Sequence, residues 1–418
     1  MTPAPDSQPH SPLPRHNFPL FLSARFFGVL GTMILSVAVG WHVYEITRDP
    51  LALGYVGLAQ FLPMVLLTLP AGQIADMVNR RFIILATSAL QAAVAGGFLF
   101  LTLEGIQDVG AYYALLAVFG VSRAFAGPAG QSFLPLLVPR DALSRAVALN
   151  TSAFQTAVIV GPAAGGALVA FGAAFAYTAC MVGFAVTGVA MMFIRTLTKQ
   201  AAPAASASTG SALSRLTAGI RYVRNQPVVL GAISLDLFAV LLGGAVAMMP
   251  AYAQDILHAG PTGLGLLRSA PAVGAVLTGL WLAKRPLRRN AGAIMFLSVA
   301  GFGVGTIVFG LSENLILSMA ALFVMGATDM VSMYVRGTLI QLATPDEMRG
   351  RVSAVNLLFI GASNELGEFE SGVMAAFFGL VPSVVIGGIG TIAVVGLWAW
   401  MFPDLRKVDD LNAVTVKH

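Results

Sequence analysis

Apolar stretches and polar interruptions alternate along the whole chain. Twelve apolar runs cover residues 20–44, 53–75, 82–103, 111–137, 146–170, 173–195, 228–254, 262–283, 292–311, 315–342, 352–378 and 381–402. Runs of roughly 20 residues are enough for a helix to cross ~30 Å of hydrocarbon. The interruptions differ in charge. With alternate loops and both tails taken as one side, that side holds most of the 24 Lys and Arg residues. The opposite loops hold Arg48 and the acids Asp49, Glu104, Asp108, Asp255 and Glu313. Basic loops stay preferentially in the cytoplasm, so the pattern places both termini inside the cell and fits an even number of spans.

Composition narrows the class further. The chain is 57% hydrophobic and 10% charged, whereas a soluble domain is about a quarter charged. That excludes a water-facing globule. The net charge of +5 does not point to nucleic acid, because the bases fall in short clusters between apolar runs and form no stripe. One cysteine, Cys180, rules out an intrachain disulfide. Residues 1–19 are polar and proline-rich and read as a disordered cytoplasmic tail with no cleaved signal peptide. Residues 403–418 read as a cytoplasmic C-tail. The long loop 196–227 begins as an Ala/Pro/Ser linker and continues as a basic amphipathic helix for the membrane surface. It separates a six-helix bundle at 20–195 from a second at 228–402.

The two halves read as repeats. A shift of 206 residues lays Pro139 on Pro345, Arg145 on Arg351 and Asn150 on Asn356. The same shift lays Gly161 on Gly367 and Gly166 on Gly372, so span 11 is the second copy of span 5. It also lays Arg123 on Asp329, giving opposite charges at matching sites.

Three stretches carry motifs. After span 2 stands "GQIADMVNRR", with Gly72, Asp76, Arg80 and Arg81. Gly72 permits close helix packing, and Asp76 can pair with an arginine or cap a helix. Span 4 contains "RAFAG", Arg123 to Gly127. An arginine near mid-membrane needs a partner or water, so Arg123 serves either a cavity or an ion pair within the bundle. Span 5 contains "AVIVGPAAGG", with Gly161, Pro162, Gly165 and Gly166, a close-packing and bendable stretch.

These stretches resemble, in order, the loop motif, the span-4 R-x-x-x-G element and the antiporter motif g-x-x-x-G-P-x-x-G-G of the major facilitator superfamily. The loop departs from its pattern: Met77 replaces a base and Asn79 replaces a glycine. Asn suits the second site if the turn is left-handed. Residues 235–257 and 343–372 are similar to bacterial drug:proton antiporters related to the enterobactin exporter and macrolide efflux proteins. The resemblance implies two six-helix bundles, alternating access, and a cavity lined by spans 1, 4, 7 and 10. It also implies a gating role for Asp76.

Span 11 is the unusual one. "GASNELGEFESG" puts Glu365, Glu368 and Glu370 inside an apolar run. At ~100° per residue, Asn364, Glu365 and Glu368 share a face with Gly361 and Gly372, and Glu370 projects elsewhere. A carboxylate at that depth is costly unless protonated or paired. Glu365, Glu368, Asp329 and Asp236 are therefore the candidates for handling protons, while Arg123 and Arg336 are candidate cavity charges. Asp236 and Arg336 sit at similar depth and can pair, which would make them structural. Arg25 and Arg268 are expected to snorkel to opposite membrane faces.

The expected protein is an all-α polytopic membrane protein of twelve transmembrane helices in two six-helix bundles, monomeric, in a bacterial inner membrane. The expected activity is export of a small amphipathic molecule, drug-like or siderophore-like, by proton antiport. A facilitator importer or a lysolipid flippase on the same scaffold is the alternative. Phe26, Gln60, Phe125, Phe238, Tyr334 and Asn356 are the candidate cavity lining. The partners are substrate, protons and lipid, without nucleic acid. The chain has no P-loop, no metal-ligand histidine spacing and no nucleophile elbow, so no cofactor, metal or enzymatic activity is expected. Topology is testable in intact cells. A cysteine placed at Asp108 should react with an impermeant reagent, and one placed at Ser206 should not; the reverse result contradicts the orientation.

Overall fold

The computed structural model describes residues 16–139, 142–194, 212–287 and 289–409. Among these, eleven helical stretches are long and apolar enough to cross a membrane. In the first bundle they are α1 (Asn17–Thr47), α2 (Pro50–Met77), α3 (Arg80–Leu103), α4 (Val109–Phe133), α5 (Leu143–Phe171) and α6 (Ala173–Phe193). Next comes α7 (Ala212–Asn225), short and amphipathic. The second bundle holds α8 (Pro227–Leu242), α10 (Gly260–Lys284), α11 (Ala291–Leu311), α12 (Leu315–Leu342), α13 (Asp346–Phe378) and α14 (Leu380–Met401), followed by the short α15 (Pro403–Arg406). The stretch left out of the eleven is α13. It is long enough, but Asn356, Asn364, Glu365, Glu368 and Glu370 lower its hydropathy. It nevertheless runs between α12 and α14 and packs on α2 and α8, so it takes the place of the twelfth span.

Short polar turns start the helices. Asp49, Asn79, Asp108 and Asn314 each cap the helix that follows by accepting backbone N–H bonds, for example Leu51 N to Asp49 at 2.9 Å and Arg81 N to Asn79 at 3.0 Å. Such caps satisfy donors that a helix leaves unpaired. The expected left-handed turn at Asn79 is not present: its φ is −59°. Asn is there as a cap, not as a glycine substitute. Gly172 and Gly379, at φ 130° and 89°, supply the tight turns between α5 and α6 and between α13 and α14.

Span 7 is not the continuous helix that its apolar run suggests. α8 stops at Leu242. The chain then passes through Gly243 and Gly244, a 3-10 turn Ala245–Met248, the three-residue α9 (Met249–Ala251) and a π-helical turn Tyr252–Ile256. A Cβ on Gly243 would lie 2.8 Å from the Phe302 ring, and one on Gly244 would meet the Gly367 backbone and the Ser371 hydroxyl. The glycine pair lets the broken span press against α11 and α13.

One face of the molecule carries the described terminal helix ends and α7; we call it the terminal face, and the opposite one the distal face. The bundles meet along two seams in the distal half. On one, α5 lies on α10: a Cβ on Gly265 would sit 2.6 Å from the Pro162 carbonyl oxygen and 3.0 Å from Gly166 Cα. On the other, α13 lies on α2: a Cβ on Gly372 would sit 2.9 Å from Gly54 Cα. The 206-residue repeat is thus visible in packing. Gly161 abuts Met33 of α1 and its copy Gly367 abuts the Leu241 backbone of α8, while Gly166 and its copy Gly372 both face the other bundle. At the distal rim the Tyr44 hydroxyl donates to Asp255, and Arg48 lies 3.4 Å from the same carboxylate. Toward the terminal face, Gly72, Gly127, Gly337 and Gly361 have nothing within 4 Å of a Cβ position. These positions of α2, α4, α12 and α13 border open space.

α7 docks on the second bundle. Gly219 abuts the Arg351 carbonyl of α13, and the Tyr222 hydroxyl donates to Ala343 O at 2.8 Å. The expected surface helix is thus anchored to protein at the start of α13.

The seams yield a prediction. Overpacking a tight contact costs about 1–3 kcal/mol, so Gly166→Val should shift the population about tenfold or more toward a state open on the distal face. Spin labels at Asp108 and Glu313 should then report a longer distance than in the unsubstituted protein. An unchanged distance distribution would show that this seam does not hold the distal face shut.

Candidate functional site

The α13 face read from the sequence runs from the open side of the molecule into the closed seam. Gly361 faces empty space; Glu365 meets Arg123 of α4, with Nη1 3.3 Å from Oε1; Glu368 lies on Gly57 of α2; Gly372 lies on Gly54. A Cβ at position 57 would be 2.7 Å from Glu368 Oε2, so the bare glycine makes room for the carboxylate. Arg123 is 14 residues from the distal start of its helix, or about 21 Å at 1.5 Å per residue. The Arg123–Glu365 pair therefore crosses between the bundles near mid-depth, at the point where the seam ends. The Glu365 side chain is 14% exposed and that of Arg123 34%.

Each bundle holds a cavity beside this crossing. In the first, a cavity of about 380 Å³ is lined by α1 to α6 and includes Arg25 and Arg123. In the second, a cavity of about 260 Å³ is lined by Asp329, Asn364 and Glu368 among apolar side chains. The repeat-related pair Arg123 and Asp329 thus occupies matching places, a cation in one cavity and an anion in the other. Asp329 also borders a small void that reaches Asp236.

Asp236 has a different environment. It forms an ion pair with Arg336, and both residues are buried in the second bundle. The two charges neutralise each other, which fits the structural role considered for them.

Other residues singled out in the sequence fall as follows. Arg268 does not snorkel outward. It donates to Ser36 Oγ of α1 at 2.6 Å and stands within electrostatic reach of Glu368. It starts only eight residues into α10, but its side chain is drawn inward because the seam puts acceptors there. Arg25 likewise turns inward, with its guanidinium 5.1 Å from the centre of the Phe154 ring. In the loop motif, the Asp76 side chain lies outside the described residues. Arg81 donates to Met191 O and Met192 O at 2.9 and 2.6 Å, tying α3 to the end of α6 within one bundle. Arg80 belongs to the first turn of α3.

The six candidate lining residues stand outside the walls of the two cavities. Phe125 packs with Ile83 and Ala129, Tyr334 against the core of the second bundle, and Phe238 on Trp398 at 5.1 Å between ring centres. Phe26 meets Phe27 edge-on, Gln60 bonds back to Val56 O, and Asn356 is half-buried on α13. Gly57, Arg268 and Gln91 were not singled out as site residues. The G-x-x-G spacing of Gly54 and Gly57 was the available signal for the first of these.

The fold and this crossing can be set beside known proteins. The sequence profile of the transmembrane secretion effector family matches residues 7–418. The chain belongs to that family, within the major facilitator superfamily. The multidrug efflux pump Tap of Mycolicibacterium fortuitum is 28% identical over 404 residues, covering 93% of this chain and 96% of its own. The enterobactin exporter EntS of Citrobacter koseri is 25% identical over 395 residues, covering 92% and 91%. Among solved structures, a bacterial homologue of the human lysosomal transporter Spinster, inward-facing and occupied, aligns with a TM-score of 0.75 at 13% identity over 95% of this chain and 99% of its own. The inward-open xylose transporter XylE of E. coli aligns at 0.69 and 13% identity, over 95% and 98%. At such identity the likeness establishes the fold alone: this family member is a multi-pass membrane protein with the transporter architecture.

The buried pair makes a prediction that separates support from chemistry. Removing one partner strands the other charge at a cost of about 3–5 kcal/mol, whereas replacing both with apolar residues is often neutral. Asp236→Ala should lower yield and the thermal unfolding temperature in detergent, and Asp236→Leu with Arg336→Leu should recover much of the loss. A stable Asp236→Ala protein would free Asp236 for another role.

Proposed function

We propose that the protein exports a small amphipathic molecule from a bacterial cell in exchange for protons, with both termini cytoplasmic and the state described here open to the cytoplasm. The observation that carries this reading is the placement of Glu365 and Glu368 at the boundary between open vestibule and closed seam. Export draws support from Tap and EntS, whose names describe efflux and export. Orientation draws support from the basic loops.

The physical sequence is as follows. With the distal seams shut, ionised Glu365 holds Arg123 and joins the bundles at mid-depth. Substrate enters from the cytoplasmic side. Opening the distal face parts α13 from α2, exposing Glu368 and Glu365 to the outside, where they take up protons. Closing the seam again then carries neutral carboxylic acids back against Gly57, which avoids burying bare charge. Loss of the protons to the cytoplasm restores the Arg123 pair. A stoichiometric exchange follows if the seam closes readily only with the acids protonated or with substrate in place.

Proteoliposomes with an imposed pH difference test this. Glu365→Gln with Glu368→Gln imitates the protonated state. It should abolish accumulation driven by the pH difference yet preserve exchange of substrate for substrate, which moves no net proton. If the double variant still concentrates substrate with only a pH difference, these acids are not the carriers. Asp329 would then be the next candidate, since Asp236 is occupied by Arg336.

A further inference from the structure

We propose that the cavity of the first bundle is a binding subsite for an anionic group carried on an apolar body, with Arg25 as its counter-charge. The proposal rests on the transport reading and names the substrate class for it: an amphipathic acid.

The case begins with charge. Among the described residues, the cavity wall includes two guanidinium groups, Arg25 and Arg123, and no Asp or Glu. Arg123 is committed to Glu365 across the bundle boundary. Arg25 has no ion pair and no hydrogen bond among the described residues; its contact is the Phe154 ring. It lies eight residues into α1, about 12 Å from the helix start at 1.5 Å per residue. A guanidinium carries five donors and stays charged. Held inside a membrane-spanning bundle, it needs an acceptor or water. The aromatic face orients the group and supplies no acceptor.

A second observation is independent of the first. Gln91 of α3 is 9% exposed, lines the same cavity, and makes no hydrogen bond among the described residues. By contrast, the neighbouring hydroxyls of Thr32, Thr87 and Ser88 donate to backbone carbonyls in their own helices. Among the described residues, the free donors of this cavity are thus a guanidinium and an amide. The rest of the wall is largely apolar, with Met33 and Met64 offering adaptable contact. A volume of about 380 Å³ is within the range of small-ligand sites. Donors together with apolar walls select a carboxylate, phosphate or phenolate head with a hydrophobic body, and oppose a cation.

The test uses the full chain, purified in nonionic detergent, with tritiated naphthalene-1-acetate as probe in a scintillation proximity assay. Saturable binding is expected. The size-matched cation 1-naphthylmethylammonium should compete at least about tenfold less well, since a charge-assisted pair is replaced by repulsion. Arg25→Gln should weaken binding by about tenfold or more, while Arg25→Lys should stay within about threefold. Gln91→Leu should weaken it less than Arg25→Gln does. If Arg25→Gln does not elute as a monodisperse protein, Arg25→Lys and Gln91→Leu carry the test. Displacement by lysophosphatidylglycerol but not by lysophosphatidylcholine would assign the anion to a lipid headgroup; displacement by neither would assign it to a free acid. Equal binding by Arg25→Gln, or equal competition by the cation, overturns the proposal. Binding through Arg25 without pH-driven efflux would keep the subsite and remove the antiport reading. Efflux of cations unaffected by Arg25→Gln would do the opposite.

Discussion

A guanidinium from one bundle and a carboxylate from the other meet at mid-depth, 3.3 Å apart, and that contact ties the two bundles together at the inner end of the seam. Charges so placed are costly alone and tolerable together. Moving the bundles apart at this level strands both unless something replaces the missing partner. A proton can replace one, and a ligand or water the other. Under the exchange proposed above, the pair would link the shape of the molecule to the protonation and occupancy of its interior. It would do so without a moving loop.

The rest of the architecture supports that contact geometrically. Two glycine-lined seams close the distal half, and the absence of a Cβ at Gly57 leaves room for Glu368 beside the pair. The rim contact of Tyr44 and Arg48 with Asp255 adds a polar link where water is available. Toward the terminal face, Gly72, Gly127, Gly337 and Gly361 border open space. The ion pair thus stands at the level where the seam ends.

Much of this was legible in the chain. The spans, the 206-residue repeat and the shared face of Gly361, Glu365, Glu368 and Gly372 follow from period and spacing, and the corresponding surroundings of the repeat-related Gly161 and Gly367, and of Gly166 and Gly372, match that frame. Direction was harder to read. In lipid both the bundle interior and the outer surface are apolar, so hydropathy did not show that Arg25 and Arg268 turn inward or that the half-buried Phe125 and Tyr334 rest against core clusters of their bundles. The break in span 7 was hidden for a similar reason: Gly243 and Gly244 sit in an apolar run, and only their contact with α11 and α13 shows why the helix stops. The partner of Glu365 lies 242 residues away along the chain, beyond any local pattern.

The seams have one more consequence, which concerns rate. Side chains that lock together lose rotamer freedom, at up to about 2 kcal/mol each for the long ones. Where α2 meets α13 and α5 meets α10, much of the contact is backbone on backbone at Gly54, Gly372, Gly166 and Gly265, and glycine has no rotamers to lose. The distal face can zip and unzip with little ordering of side chains at these points. Under the proposed exchange such a joint would act as a low-friction bearing, leaving the timing of each cycle to the desolvation of charge at mid-depth and not to the repacking of a lid.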